Sequence, residues 1–314
     1  MVDEIVLRNK RTGEEIKIDK TGDTGFVLSE IDWDTAEINN ESYRIPFQIG
    51  ETLSSTVVGT RVPTITGYVV SNSMPTLGTK WNDYINNQKQ EIINLKNVFN
   101  HFVSIYDTYQ IIAGDTYIEG IPSEPVRYSN QEDENNEVLC LFELEFNCYD
   151  PMFRKVNIID ANFIEVVDRF RLPFTVPVDP GNTLIFGEYL RAQTKNIVND
   201  GDVSTGFIMT IRTLQETVST VRILNVTTGV SMEVHTDLQP DDYIAINTNL
   251  GQEDAYIHKA ESDKDETLLS SIYLKSKFIQ LERGDNYITY QTNNNSVLDV
   301  NIQYDEKYFN FKEM

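Results

Sequence analysis

Apolar and polar residues alternate with a period of two along most of the chain, the signature of half-buried β-strands. "EIVLRNKRTGEEIKI" leads in through Ile5 and Leu7, turns at Thr12-Gly13 and leads out through Ile16 and Ile18, which predicts a hairpin. "YRIPFQIGETLSSTVVGTRVPTITGYVVS" continues in short strands. Pro46 and Pro63 belong at strand ends or edges, because proline cannot donate a ladder hydrogen bond. One segment departs from this period. In "TKWNDYINNQKQEIINLKNVFNHF", Trp81, Ile85, Gln88, Ile92, Leu95, Phe99 and Phe102 recur at steps of three and four. They form one face of an amphipathic helix over about 80–102, with Thr79 as its N-cap. The helix is expected to pack on its own sheet.

Strands resume at "YQIIAGDTYIEGIPSEPVRYS". The polar run "NQEDENNE" (130–137) reads as a solvated loop tip inside a long hairpin spanning Val126 to Phe146. After it, Val138, Cys140 and Phe142 alternate with Leu139, Leu141 and Glu143 in a long, largely buried strand ending at "CYDPMF". Pro151 cannot continue that ladder and pushes Asp150 out of helical geometry, so a domain junction is expected at 150/151. The second half repeats one scheme. Val221, Ile223 and Val226 precede a turn at Thr228-Gly229; Met232 and Val234 precede a turn at Gln239-Pro240-Asp241; Ile244 and Ile246 follow. Around Asn293-Asn294-Asn295 the scheme recurs, with Leu298, Val300, Ile302 and Tyr304 on one face and Asp299, Asn301 and Gln303 on the other. Strands with turns every ~8–12 residues indicate an antiparallel sandwich or barrel.

Charge narrows the partners. The formal net charge is -23. Residues 1–150 carry 25 acidic and 11 basic side chains, and the rest carry 24 and 15. Both halves are acidic, which argues against gripping a nucleic-acid backbone and against docking on anionic lipid. No apolar run approaches the ~18 residues of a membrane span. The N-terminal "MVDEIVLRNKRTGEEI" is charged throughout and lacks the pattern of a signal peptide. Cys140 and Cys148, on one extended strand, would lie ~26 Å apart at ~3.3 Å per residue, too far for a disulfide. They read as two buried thiols and a reducing site of synthesis.

Candidate chemistry is sparse. HExxH, GxSxG, Walker and GxGxxG motifs are absent, as is a paired CxxC. His101 ends the helix, while His235 and His258 fall in strands without a helical i, i+4 partner for a metal. Asp32, Asp34 and Glu37 in "EIDWDTAEI" read either as a calcium site or acid–base pair, or as the wet face of a strand on which Trp33 points the other way. "NIVNDGDVSTGF" crowds Asn199, Asp200 and Asp202 around Gly201, too tightly for an EF-hand loop. Asx residues and glycine also suit a plain corner. Tyr243, Tyr256, Tyr273 and Tyr287 are the candidate platforms for a sugar ring.

The order of these corners resembles the distal tail (Dit) family of long-tailed bacteriophages, the phage tail-component family. The matching stretches are "FNCYDPMF", "RLPFTVPV", "IVNDGDVSTGFIMTI", "ILNVTTGVSMEV", "LQPDDYIAINTNLG", "LERGDNYITY" and "VNIQYDEKYF". The resemblance implies a mainly β protein of two domains. Residues 1–150 would be a ring-forming β domain with one helix, and 151–314 a galectin-like antiparallel β-sandwich. It implies a structural, non-enzymatic role with no catalytic residue, cofactor or metal. A hexameric ring would join the tail tube protein to the tail-tip hub or tail lysin, with a receptor-binding protein as a further partner. The protein would sit at the virion tail tip, in a phage, a prophage or a tail-like particle, after synthesis in the bacterial cytoplasm. The ring contact is expected in the first half, at the Val126 to Phe146 hairpin. A carbohydrate-binding module and an enzyme are the competing readings.

Overall fold

The computed structural model describes residues 2–47, 49–72, 81–131, 138–168, 187–191, 193–214, 216–294 and 296–311. The chain forms two units: Met1–Val156 together with Tyr308–Met314, and Asn157–Lys307.

The first unit opens with the expected hairpin, β1 (Glu4–Asn9) and β2 (Glu15–Asp19). β3 (Phe26–Asp32) follows, then β4 (Ile38–Tyr43), β5 (Thr52–Val58) and β6 (Thr64–Val70). Helix α1 (Trp81–Phe102) leads to β7 (Tyr109–Ala113), β8 (Thr116–Pro122), β9 (Arg127–Tyr128), β10 (Leu139–Asn147) and β11 (Phe153–Lys155). In the main sheet these strands lie in the order β11-β8-β7-β1-β2-β3-β6-β10-β9. A second pairing of β10 with β8, Phe146 opposite Pro122, closes the strands between them into a barrel. Closure matters because it removes the open edges on which sheets aggregate. β4 and β5 stay outside, pairing with each other as a separate two-stranded sheet.

The barrel interior is filled by alternate residues of these strands, among them Ile5, Leu7, Ile65, Val69, Ile111, Ile118, Phe142 and Leu144. Gly67 makes the tightest contact. A Cβ there would lie 2.5 Å from the Val27 carbonyl oxygen and 2.7 Å from the Phe142 ring, so only glycine lets that ring sit against β6. α1 buries Gln88, Ile92, Phe99 and Phe102, with Leu95 half-buried against the same core. Phe99 meets Phe26 and Phe142 with ring centroids 5.0 Å away in each case. The predicted helix face is therefore right from Gln88 onward. Trp81 is a correction: it is 70% exposed and meets the Tyr84 ring of the next turn, with centroids 5.6 Å apart, in place of the core. The expected cap Thr79 lies outside the described residues.

The hairpin expected over Val126 to Phe146 is present but short: β9 is two residues long and pairs antiparallel with β10 at Tyr128–Phe142 and Arg127–Glu143. On its other side β10 pairs with β6, over seven residue pairs. The 132–137 part of its polar tip lies outside the described residues. Cys140 and Cys148 are buried and unpaired, as expected.

The second unit begins with β12 (Ile159–Asn162), β13 (Ile164–Asp168), β14 (Gly187–Arg191), β15 (Thr194–Asn199), β16 (Phe207–Thr213) and β17 (Val218–Asn225). It continues with β18 (Val230–Leu238), β19 (Tyr243–Asn247), β20 (Asp254–Lys259), β21 (Lys264–Thr267), β22 (Gly284–Thr292) and β23 (Leu298–Tyr304). A six-stranded sheet, β12-β23-β16-β19-β20-β21, packs against a four-stranded one, β15-β22-β17-β18. Met209, Ile211, Ile244, Ile246, Val300 and Ile302 from one sheet share a core with Ile197, Val221, Ile223, Val234 and Ile288 from the other. This is a sandwich with period-two strands facing inward from both sides. Leu298, Val300, Ile302 and Tyr304 face the core as predicted. Val226 does not: it lies past the end of β17 and is exposed. The turn at Gln239–Asp242 is closed by Asp242 N–H donating to the Gln239 carbonyl, with Asp241 at φ 77° after Pro240.

The chain then returns to the first unit. β24 (Lys307–Tyr308) pairs beside β11. Tyr308 is buried there. Phe311 stacks on Trp33 (5.0 Å, 20°) and meets the Phe153 ring edge-on.

Candidate functional site

The residues singled out for chemistry disperse. β3 ends at Asp32, and Asp34 lies beyond it at φ 52°, so the two carboxylates do not share a strand face. Each serves the backbone instead. Asp32 Oδ1 accepts from Asp34 N–H (2.9 Å), and Asp34 accepts from the Thr35 (2.6 Å) and Val62 (3.2 Å) N–H groups. Arg61 completes this corner. It is buried, stands 4.7 Å from the centroid of the Phe153 ring, and donates to the carbonyls of Asp34 (3.1 Å) and Phe309 (2.5 Å). Burial lowers its pKa, opposed by Cys148 and Asp34. Burial likewise pushes the Cys148 thiol up to about 12, with Arg61 pulling the other way. A thiol held so high is a core group rather than a nucleophile.

The acidic glycine loop is a corner fixed by one amide. Asn199 is fully buried. Its Nδ2 donates to the carbonyls of Val203 (2.9 Å) and Leu281 (3.0 Å), and its Oδ1 accepts from Gly201 N–H (3.0 Å). A side chain at Gly201 would meet the Lys307 carbonyl oxygen and Asn199 Oδ1, each at 2.8 Å. Asp200 N–H donates to buried Glu306 (3.2 Å), and Asp202 N–H donates to the Lys307 carbonyl (2.8 Å). The loop is thereby riveted to Glu306 and Lys307, just past the end of β23. Among the described residues, no group of three or more His, Cys, Asp or Glu is placed to hold a metal ion.

The histidines lie apart. His101 lines a groove at the end of α1. His235 Nε2 lies 3.1 Å from Glu233, and His258 Nδ1 lies 2.8 Å from Asp265. The four tyrosines do not form a platform either. Tyr243 is flanked across both of its ladders, by the Arg212 guanidinium 5.4 Å from its ring centroid and by His258 stacked at 4.8 Å. Tyr256 neighbours Tyr243 edge-on, whereas Tyr287 lies on the other sheet and Tyr273 next to His235. The trough of about 440 Å³ between Asp160, Arg212 and Asp299 is lined by hydrogen-bonding side chains of the six-stranded sheet's outer face. Asn301 Nδ2 there donates to Asn162 Oδ1 at 2.6 Å.

What remains is surface of a different kind, which the sequence reading missed. The β4–β5 hairpin is an arm. β4 is exposed along its whole length. The arm shows Ile38, Tyr43, Ile45, Phe47, Ile49, Leu53 and Val57 to solvent. Phe47 sits at φ 70°, a left-handed conformation that is an outlier for a bulky residue. The signal was present in "INNES" and "LSST", where neither strand face is consistently apolar, so neither strand has a core to cover. A second feature of the same unit is a groove of about 540 Å³ between the C-terminal turns of α1 and the start of β2, lined by Glu14, Glu15, Ile16, Asn97, Val98, His101 and Phe102.

Among the described residues, the polar side chains singled out by the sequence lie apart, and an apolar arm projects from the first unit. Residues 200–308, nearly all of them in the sandwich unit, match the family model of the siphovirus-type tail component, C-terminal domain. The crystal structure of the SPP1 Dit protein, described as a paradigm of the hub adsorption apparatus in phages infecting Gram-positive bacteria, aligns over 96% of this chain and 98% of that one. The TM-score is 0.60 at 12% identity, which shows a shared fold. A chain of the phage P2 baseplate, in its activated conformation with calcium, covers the same shares at TM-score 0.47 and 11% identity. No curated protein matches the sequence. The family resemblance read from the motifs is borne out, and the mainly β fold with one helix is the Dit fold.

Proposed function

We propose that this chain is a distal tail or baseplate adaptor, a structural, non-enzymatic part of a phage tail. Its barrel unit assembles into a hexameric ring that joins the tail tube to the tail tip. Its sandwich unit faces the host-binding apparatus. The observation that carries this reading is the tail-component domain at residues 200–308, embedded in a chain whose whole fold follows SPP1 Dit. The barrel supports it: a subunit that must not aggregate closes its main sheet and leaves an apolar arm for a partner. The acidic balance supports it too, because carboxylates facing a channel repel phosphate backbones. The protein accordingly belongs to the virion tail, in contact with tube and hub proteins.

Size by light scattering across micromolar concentrations, alone and with a tail-tip hub protein, tests this, with negative-stain images of the product. Six-fold rings are the expected result. A strict monomer in every mixture would refute the reading.

A further inference from the structure

The six-stranded sheet of the second unit turns a polar trough to solvent, and its residues fall in register across three strands. Asp160, Gln303 and Ile208 lie opposite one another on β12, β23 and β16. Asn162, Asn301 and Thr210 form the next row, and Asp299 and Arg212 the third. With strands ~4.8 Å apart and rows ~7 Å apart, this grid covers roughly 10 by 14 Å. The last row continues from Arg212 into β19, β20 and β21 through Tyr243, His258 and Asp265.

A water-facing sheet is polar by default. Three features go beyond that default. The first is shape. Short Asp, Asn and Thr side chains floor the trough and the longer Arg212 flanks it, leaving about 440 Å³. That volume falls in the ~300–1,000 Å³ range of small-ligand sites. The second is unspent hydrogen bonding. Asn301 donates to Asn162. Among the described residues, the side chains of Asp160, Thr210, Arg212, Asp299 and Gln303 make no hydrogen bond or ion pair. The third is order. The Arg212 guanidinium lies 5.4 Å from the centroid of the Tyr243 ring, His258 stacks on that ring at 4.8 Å, and Asp265 holds His258 Nδ1 at 2.8 Å. The trough's one cation is thus positioned before a ligand arrives, which lowers the cost of binding.

We propose that this trough binds a neutral saccharide. Adjacent sugar hydroxyls both donate and accept, and the lining offers both complements: Asp160 and Asp299 accept, Arg212 donates, and Gln303 and Thr210 do either. Ile208, 43% exposed beside Gln303 and Thr210, gives a ring C–H face an apolar surface. Two carboxylates against one guanidinium, in a chain of net charge -23, disfavour a polymer bearing phosphate or carboxylate groups. The trough is open, so a single site should bind with a Kd of roughly 1 mM. Such a site lets the sandwich unit touch a cell-surface glycan directly. It lies wholly within that unit and does not depend on the ring reading.

The full-length protein tests this on a printed array of neutral and anionic oligosaccharides. Saturation-transfer NMR with glucose, galactose and N-acetylglucosamine follows, with glucuronic acid as the anionic control. Binding confined to neutral members is expected. Asp299→Ala should weaken it at least about ten-fold, the loss of a hydrogen bond to a charged group. Arg212→Lys keeps the charge, loses the planar fork and should weaken it too. Arg222→Ala, on the other sheet, should leave it unchanged. The melting temperature of all three should match that of the wild type. Silence across the array, binding confined to anionic members, or binding that Asp299→Ala and Arg212→Lys leave intact would each overturn the proposal. None of these outcomes touches the ring reading, which the scattering measurement decides.

Discussion

Removing the Asn199 amide should destabilise the sandwich unit by about 3 kcal/mol. The side chain makes three hydrogen bonds in a fully buried corner, two as donor and one as acceptor. Each is worth about 0.5–1.5 kcal/mol net, and a buried partner left unsatisfied costs more than that mean. The Leu281 carbonyl keeps a second donor in Thr205 N–H, so its loss is the mildest. The Val203 carbonyl and the Gly201 N–H bear the remainder. In Asn199→Ala the sum falls at about 2–4 kcal/mol. Asn199→Asp should cost more near neutral pH, because it turns a carboxylate toward two carbonyl oxygens. The assay is urea denaturation followed by two probes. Both tryptophans, Trp33 and Trp81, lie in the barrel unit, so their fluorescence follows that unit alone. Far-ultraviolet dichroism follows both. The variant should move the fluorescence-silent transition down by about 1–2 M urea and leave the tryptophan transition in place. A loss under about 0.5 kcal/mol, the least expected of one such bond, would refute the corner argument. So would calcium raising the wild-type melting temperature and not that of the variant, which would make the loop a metal site.

Other outcomes rest on the same geometry. Gly67→Ala forces a methyl against the Val27 carbonyl and the Phe142 ring, and should lower the tryptophan-detected transition by about 1–3 kcal/mol. Acid should unfold the barrel unit below about pH 4. There, the Thr21 hydroxyl holds the Asp19 carboxyl below its ordinary value against desolvation, helped by the Gly22 and Thr21 N–H groups. Arg11, then Asn9, do the same for Asp107. A depressed folded-state pKa gives stability that is complete above the unfolded value and lost as pH falls through the folded one, so Asp19→Asn should flatten that acid limb in a titration of melting temperature. Cys148, buried and with its thiol raised to about 12, should resist a disulfide reagent in the native protein and react on unfolding; rapid native labelling would contradict its placement.

Strand periodicity makes the sandwich legible, because each strand there has one face on a shared core. Leu298 to Tyr304 is the clearest instance. The helix is legible wherever its face meets the barrel, and Trp81 misleads because periodicity records what could be buried, not what a neighbouring element covers. Pairing is the harder part. "NQEDENNE" invites a local hairpin for β10, and a short one with β9 is there, yet the longer pairing along Leu139 to Glu145 is with β6, from a distant part of the chain. The arm escapes notice for the opposite reason. Its residues obey no core, and a stretch without a consistent apolar face reads as poor strand until a partner is imagined for it. Asn199 shows a further limit: its residue type speaks for a turn, but the carbonyl of Leu281 that completes it is 82 residues away.

The return of β24 to the barrel sets an order of events during synthesis. The 157–307 stretch is continuous and holds its complete core once it has emerged from the ribosome. The first 156 residues emerge earlier but lack Tyr308, the Phe309 carbonyl that Arg61 grips, and the Phe311 ring that covers Trp33. The unit that bears the arm is thus the last to be finished, because the residues that complete its corner follow the whole of the sandwich in the chain.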